Sequence, residues 1–178
     1  MMRRLLQKIR SFHLRDDGTV TVQFVIMFPF YMGLFMSSVE LGLMTLRYSY
    51  LERSLDMVVR DIRLSTGAPI THDAIVSEVC ARAGVIPSCS EKLKLEMVIR
   101  DPRNWVDLPA ETVCTDSSEE AQPVTVFEGG RENDMMVLRA CAKVTTIFPG
   151  SWIGSALQRD NNGDYALVVS NAFVQEPR

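Results

Sequence analysis

The sequence predicts an α+β protein: one long N-terminal helix, apolar at its start and amphipathic beyond, packed on a small, mainly antiparallel sheet. Three observations predict it. From Thr19 to Leu46, 28 residues carry a single formal charge, Glu40. Beyond Leu46 the apolar residues fall at Leu51, Leu55, Val58, Val59 and Ile62, at helical spacing, with charged residues between them. From Glu91 onward the apolar period drops to two, the period of a half-buried strand.

Residues 1–18 form a short basic leader containing Arg3, Arg4, Lys8, Arg10 and Arg15. Residues 19–46 then form a helix of about 42 Å, longer than the roughly 30 Å of bilayer hydrocarbon. A secretory signal has a shorter apolar region and a small-residue cleavage site, for which only the weak "FMSS" around Ser37 is available. A single membrane crossing is the better reading, and the bilayer is the first partner it implies. The basic side stays cytoplasmic, which places the C-terminal domain across the membrane.

Residues 47–65 continue the helix as an amphipathic extension that leaves the membrane near Arg47 and rests one face on the domain. Pro29 is tolerated in a membrane helix, and "STGAP" at 65–69 ends the extension. Residues 66–178 form the domain. Thr71 caps a second short helix reaching about Ala83 and carrying Ile75, Val76 and Val79. About four strands follow. "KLKLEMVIR" puts Leu93, Leu95, Met97 and Ile99 on one face, and "PVTVFE" is a shorter candidate. "MMVLRACAKVTTIF" aligns Met136, Leu138, Ala140, Ala142 and Val144, with Arg139, Cys141 and Lys143 turned to solvent. "DYALVVSNAFVQ" is the last strand. A polar connection from Asp101 to Gln122 has Trp105 as its one large anchor, and Trp152 to Leu157 form a short helical turn.

Cys80, Cys89, Cys114 and Cys141 all lie beyond the anchor, where disulfides persist. Four cysteines allow three connectivities; the favoured one joins Cys80 to Cys89, closing the second helix onto the first strand, and Cys114 to Cys141, pinning the long loop to the sheet. Their spacing does not match the short Cys-x2-4-Cys clamps of zinc sites, so no metal is expected. "RDNNGDY" at Arg159–Tyr165 alternates oxygen ligands as a calcium loop does, but its glycine and its twelfth position, Asn171, are wrong, and Asn162-Gly163 reads as a turn. No Gly-x-Ser-x-Gly, His-Glu-x-x-His or phosphate-loop motif occurs. Of the two histidines, His13 lies in the leader and His72 at a helix start, as a surface residue. The sequence therefore implies no catalytic residue, no cofactor and no small-molecule substrate, and the net charge of -3 implies no nucleic-acid partner.

The membrane helix is the informative element. Glu40 lies about 31 Å beyond Thr19 along it. Either it sits at the far membrane interface, or it lies in a helix–helix contact, where Gly33, Ser37, Ser38 and Gly42 allow close backbone approach.

The ordered set Gly18, Val22-Gln23-Phe24, Pro29 and Glu40-Leu41-Gly42 resembles the N-terminal segment of the TadE-like family, the TadE/TadF minor pseudopilins of tight-adherence (Tad/Flp) pili. It covers about 25–30 residues; the rest is similar in architecture alone. The resemblance implies a pilin-like arrangement and a non-enzymatic role in pilus biogenesis, surface adhesion and secretion. It also implies a single-pass protein of the bacterial inner membrane, with its domain periplasmic or incorporated in a pilus. The partners implied are a prepilin peptidase, other Tad/Flp pilins and the assembly-platform proteins. Cleavage after Gly18 would make Thr19 the new amino terminus. The fifth residue after such a cut is usually glutamate, whose carboxylate neutralises a neighbouring terminal amine in a bundle. Here it is Gln23, which accepts a hydrogen bond without bringing charge, and Phe24 follows it. That departure favours a minor or accessory role. The alternative is an uncleaved signal-anchor protein whose periplasmic domain binds or scaffolds.

Overall fold

The computed structural model describes residues 19–64, 70–109, 112–115 and 125–177. The leader with Gly18, and the "STGAP" helix stop, lie outside them.

Helix α1 (Thr19–Leu64) runs 46 residues, with Pro29 inside it. Three of its hydroxyls bond back into the helix, Ser38 to the Leu34 carbonyl, Thr45 to Leu41 and Ser54 to Tyr50, so these need no outside partner. The second half behaves as its periodicity dictates: Leu51, Leu55, Val58, Val59 and Ile62 are all buried. The first half is apolar and open. Every residue from Val20 to Met32 is exposed.

Helix α2 (His72–Arg82) buries Ile75, Val76 and Val79. Thr71 does occupy the position before it, but its side chain makes no capping bond. Arg82 fastens α2 to α1, reaching Asp61 at 2.9 Å and its own Glu78 at 2.8 Å. The single turn α3 (Cys89–Lys92) leads into β1 (Leu93–Arg100). The other elements are β2 (Met135–Thr145), the short α4 (Trp152–Ala156) and β3 (Asp164–Val174).

The sheet has three antiparallel strands in the order β1-β2-β3, with Leu95 opposite Ala140 and Ala140 opposite Val169. Its inner face carries Leu93, Leu95, Met97, Met136, Leu138, Ala140, Ala142, Val144, Tyr165, Leu167, Val169 and Phe173, all buried in one core with α1 and α2. Asn171 shares that face and donates to Asp56 of α1.

Three expectations are corrected. "PVTVFE" does not form a strand over its described part. It makes one parallel bridge, Phe127 to Met97, through the Met97 amide to the Val126 carbonyl and the Glu128 amide to the Met97 carbonyl, both 2.9 Å. Along the same edge the Leu95 amide donates instead to His72 Nε2 at 3.3 Å, so a side chain ends the ladder where a strand would continue it. Nor does the second face of β2 look to solvent. Arg139 is 6% exposed and Cys141 fully buried, because the loop after β1 folds back over them. Arg139 donates to the Pro109 carbonyl at 3.0 Å and to Thr112 Oγ1, and lies 3.6 Å from Glu96. Trp105 does not anchor this loop; it is half exposed and donates to Asp107.

Both favoured disulfides are present. Cys80–Cys89 ties α2 to α3, and Cys114–Cys141 ties the covering loop to the central strand.

The turn before β3 is held by charge. Asp164 is 2% exposed, bonded to Lys92 Nζ and Thr145 Oγ1, each at 2.5 Å. Burial acts to raise its pKa, but the Lys92 and Thr145 bonds and the charges of Lys92 and Lys143 outweigh it and hold the carboxyl below the usual carboxylate range. A depressed pKa means the stabilisation is complete above the unfolded value of about 3.9 and disappears as pH falls through the lower folded value. Asp164→Asn is therefore expected to destabilise the protein by about 1–3 kcal/mol at neutral pH, with the gap to wild type closing in acid. Urea titrations at a series of pH values would read this; a gap independent of pH would refute it.

Candidate functional site

The feature that organises the molecule is a single stripe along α1. Gly33, Ser37, Glu40, Met44, Arg47, Leu51, Leu55, Val58 and Ile62 recur at three- and four-residue intervals and face the domain. Its lower part is ordinary apolar core. Its upper part is polar and small, and it receives the segment between β2 and α4.

Glu40 is the centre of that contact. It is 1% exposed, and its carboxylate accepts the backbone N–H of Ile147 at 3.1 Å and of Phe148 at 2.8 Å. Two turns further along, Arg47 donates to the Thr145 carbonyl at 3.1 Å. An anion taking two amide donors and a cation taking a carbonyl thus fix the end of β2 to the helix. Charge-assisted bonds to backbone are among the stronger hydrogen bonds a protein makes.

Above Glu40 the contact depends on missing side chains. Trp152 lies against Gly33, where an added Cβ would come within 3.3 Å of the indole, and packs edge-on to Phe30 with ring centroids 5.4 Å apart. Ser37 is buried beside them. Within the segment, Gly154 lets the Phe148 carbonyl approach to a point that a Cβ would put 2.2 Å away. Ser151 caps α4, accepting from the Gly154 amide at 3.0 Å.

No family model matches this chain. No curated protein and no solved structure matches it either.

The structure thus brings Gly33, Ser37 and Glu40 together, against the chain's own loop. Gly42 meets nothing within 4 Å, and Gln23, Phe24 and Pro29 lie on the uncovered part of α1. The loop partners Ile147, Phe148 and Trp152, and the cation Arg47, are new to the site. The available signal was twofold: the helical period of the stripe continues upward past Leu51, and Thr145 to Gln158 contains no charged residue.

Other candidates are used up by packing. His72 accepts from Leu95 and lies near Asp73 and Phe127. Asp160 bonds Lys143 and the amides of Asn162 and Asp164, which fills the suggested calcium loop with its own cation and donors. Among the described residues no group of three or more His, Cys, Asp or Glu stands as a metal site. A groove of about 460 Å³ between α1 and the end of β3 is lined by Asp56, Arg60, Arg63 and Glu176 among others, and Arg63 pairs with Glu176 at 2.9 Å.

Glu40→Ala would leave the amides of Ile147 and Phe148 without their charged acceptor, a cost of about 1–3 kcal/mol for each. The expected result is faster hydrogen exchange at Ile147 and Phe148, with the β2–β3 amides protected as before. Glu40→Gln, which keeps an acceptor oxygen, should show a smaller change. Equal protection in all three proteins would remove Glu40 from this role.

Proposed function

We propose that this chain is a non-enzymatic structural and assembly protein of the bacterial cell envelope, a TadE-like minor pilin that takes part in tight-adherence pilus biogenesis. The observation that carries the reading is the division of α1. Its first turns, Val20 to Met32, are apolar and exposed, while the rest of the helix is the spine of a disulfide-bonded domain. A helix of that length and hydropathy fits a membrane crossing, and two disulfides fit an oxidising compartment. Support for the pilin part is the ordered resemblance of Gly18, Gln23, Phe24, Pro29, Glu40 and Gly42 to the TadE-like leader and helix. On this reading a prepilin peptidase removes residues 1–18, and the exposed apolar turns pack first in lipid and then against other pilins.

Intact mass and N-terminal sequencing of protein from its native membrane test it. A chain beginning at Thr19 is expected, with Gly18→Leu remaining at full length. The second reading, an uncleaved signal anchor whose domain binds or scaffolds, is favoured by Gln23, which lacks the charge of the usual glutamate. It would be supported by a chain beginning at Met1 or Met2 and unaffected by Gly18→Leu. A start near Val39 would mean that the segment is a signal peptide, and would refute both.

A further inference from the structure

The length of α1 that the domain leaves uncovered is too short for the crossing assigned to it. Val20 to Met32 is 13 residues, about 20 Å of helix, against a hydrocarbon core of about 30 Å. Arg15, Asp16 and Asp17 bound it on the near side, so the missing length lies beyond Met32. There the helix already carries the segment 146–157. We propose that this segment enters the outer leaflet together with the helix, so that the protein holds the bilayer by two elements. The inference rests on the membrane-crossing reading of α1.

Three independent features of the segment suit it to lipid. Its composition is "TIFPGSWIGSAL", without a charge, and Lys143 and Arg159 stand on either side. Its apolar side chains are not all used by the domain: Ile147 is 48% exposed and Trp152 51% exposed, on the side of the molecule where α1 is bare. Five of its backbone amides find acceptors within the protein, as irregular chain in a bilayer needs. Glu40 takes the amides of Ile147 and Phe148, Pro149 has none, the Phe148 carbonyl takes Ser151, and Ser151 takes Gly154 and Ser155. Trp152 lies alongside Phe30 and Gly33, about 16–21 Å from Thr19 along the helix, which places the indole below the outer interface. Glu40, about 31 Å along the helix, stands at the outer interface, and its carboxylate is the acceptor that holds the start of the entering loop.

The test is depth-resolved quenching in phosphatidylcholine vesicles whose acyl chains carry bromines. Trp105→Phe leaves Trp152 as the sole tryptophan. A second protein, Trp105→Phe/Trp152→Phe/Phe24→Trp, places the sole tryptophan on the bare helix, and circular dichroism checks that both are folded. The expected result is loss of Trp152 fluorescence comparable to that of the helix reporter, with protection from aqueous iodide. A quenched helix reporter beside a Trp152 that only iodide reaches would overturn the inference while leaving the membrane helix in place. A Trp152 reached by neither quencher would also overturn it, and would put a second protein copy on the segment. If neither tryptophan is quenched by lipid, the membrane reading fails, and this inference with it.

Discussion

Replacing Cys114 and Cys141 together by alanine is expected to lower stability by about 3.5 kcal/mol, and replacing Cys80 and Cys89 by about 2.6 kcal/mol. The difference follows from the loops they close, with sequence separations of 27 and 9, since a longer loop has more conformational freedom to lose. The first pair should cost more for a second reason. Cys141 lies in the centre of the sheet, and Cys114 is where the covering loop is fixed over it. Once released, that loop no longer holds its carbonyl over Arg139. Urea unfolding of the purified protein reads both values. Equal midpoints for wild type and the Cys114/Cys141 variant would show that the loop is held by something else.

Arg139→Ala is the second large effect, about 3–5 kcal/mol. The guanidinium is almost wholly buried, with Glu96 opposite, the Pro109 carbonyl at one nitrogen and Thr112 at another. Truncation leaves Glu96 in a poorly hydrated place without its cation. The same argument predicts a partial rescue: adding Glu96→Leu to an Arg139→Met background removes both charges and should recover most of the loss. Because Arg139 and the Cys114–Cys141 bridge hold one loop, their effects should not add. A strictly additive double variant, or an Arg139→Ala protein as stable as wild type, would contradict the packing described.

How much of this could be read in advance depended on where the signal resides. The strands were legible wherever one side is core: Leu93, Leu95 and Met97, then Met136 to Val144, alternate as they must and are buried as expected. So was the apolar face of the helix from Leu51 to Ile62; that the domain reaches up the same face as far as Gly33 was not. The outer face of β2 was misread because Arg139 and Lys143 look like solvent-facing residues, and the loop covering them is polar and without period. "PVTVFE" has the residues of a strand, but its neighbour along β1 is a histidine nitrogen, which no local pattern announces. Glu40 could be singled out as the one charge between Thr19 and Leu46, placed either at an interface or in a helix–helix contact. Its partners could not, because they are backbone amides more than a hundred residues away, and amides are present at every position.

The stripe on α1 has one more consequence, mechanical in kind. Arg47, the apolar core positions and the Arg82–Asp61 pair fasten the domain along the helix. Among the described residues these contacts leave the sheet no freedom to swing on the helix. Whatever turns or lifts α1 therefore turns or lifts the sheet through the same angle and distance. The bare outer side of β3, with Ala166, Val168 and Ser170, points wherever the helix points it. The outer surface of the sheet thus has almost no reach apart from that of the helix.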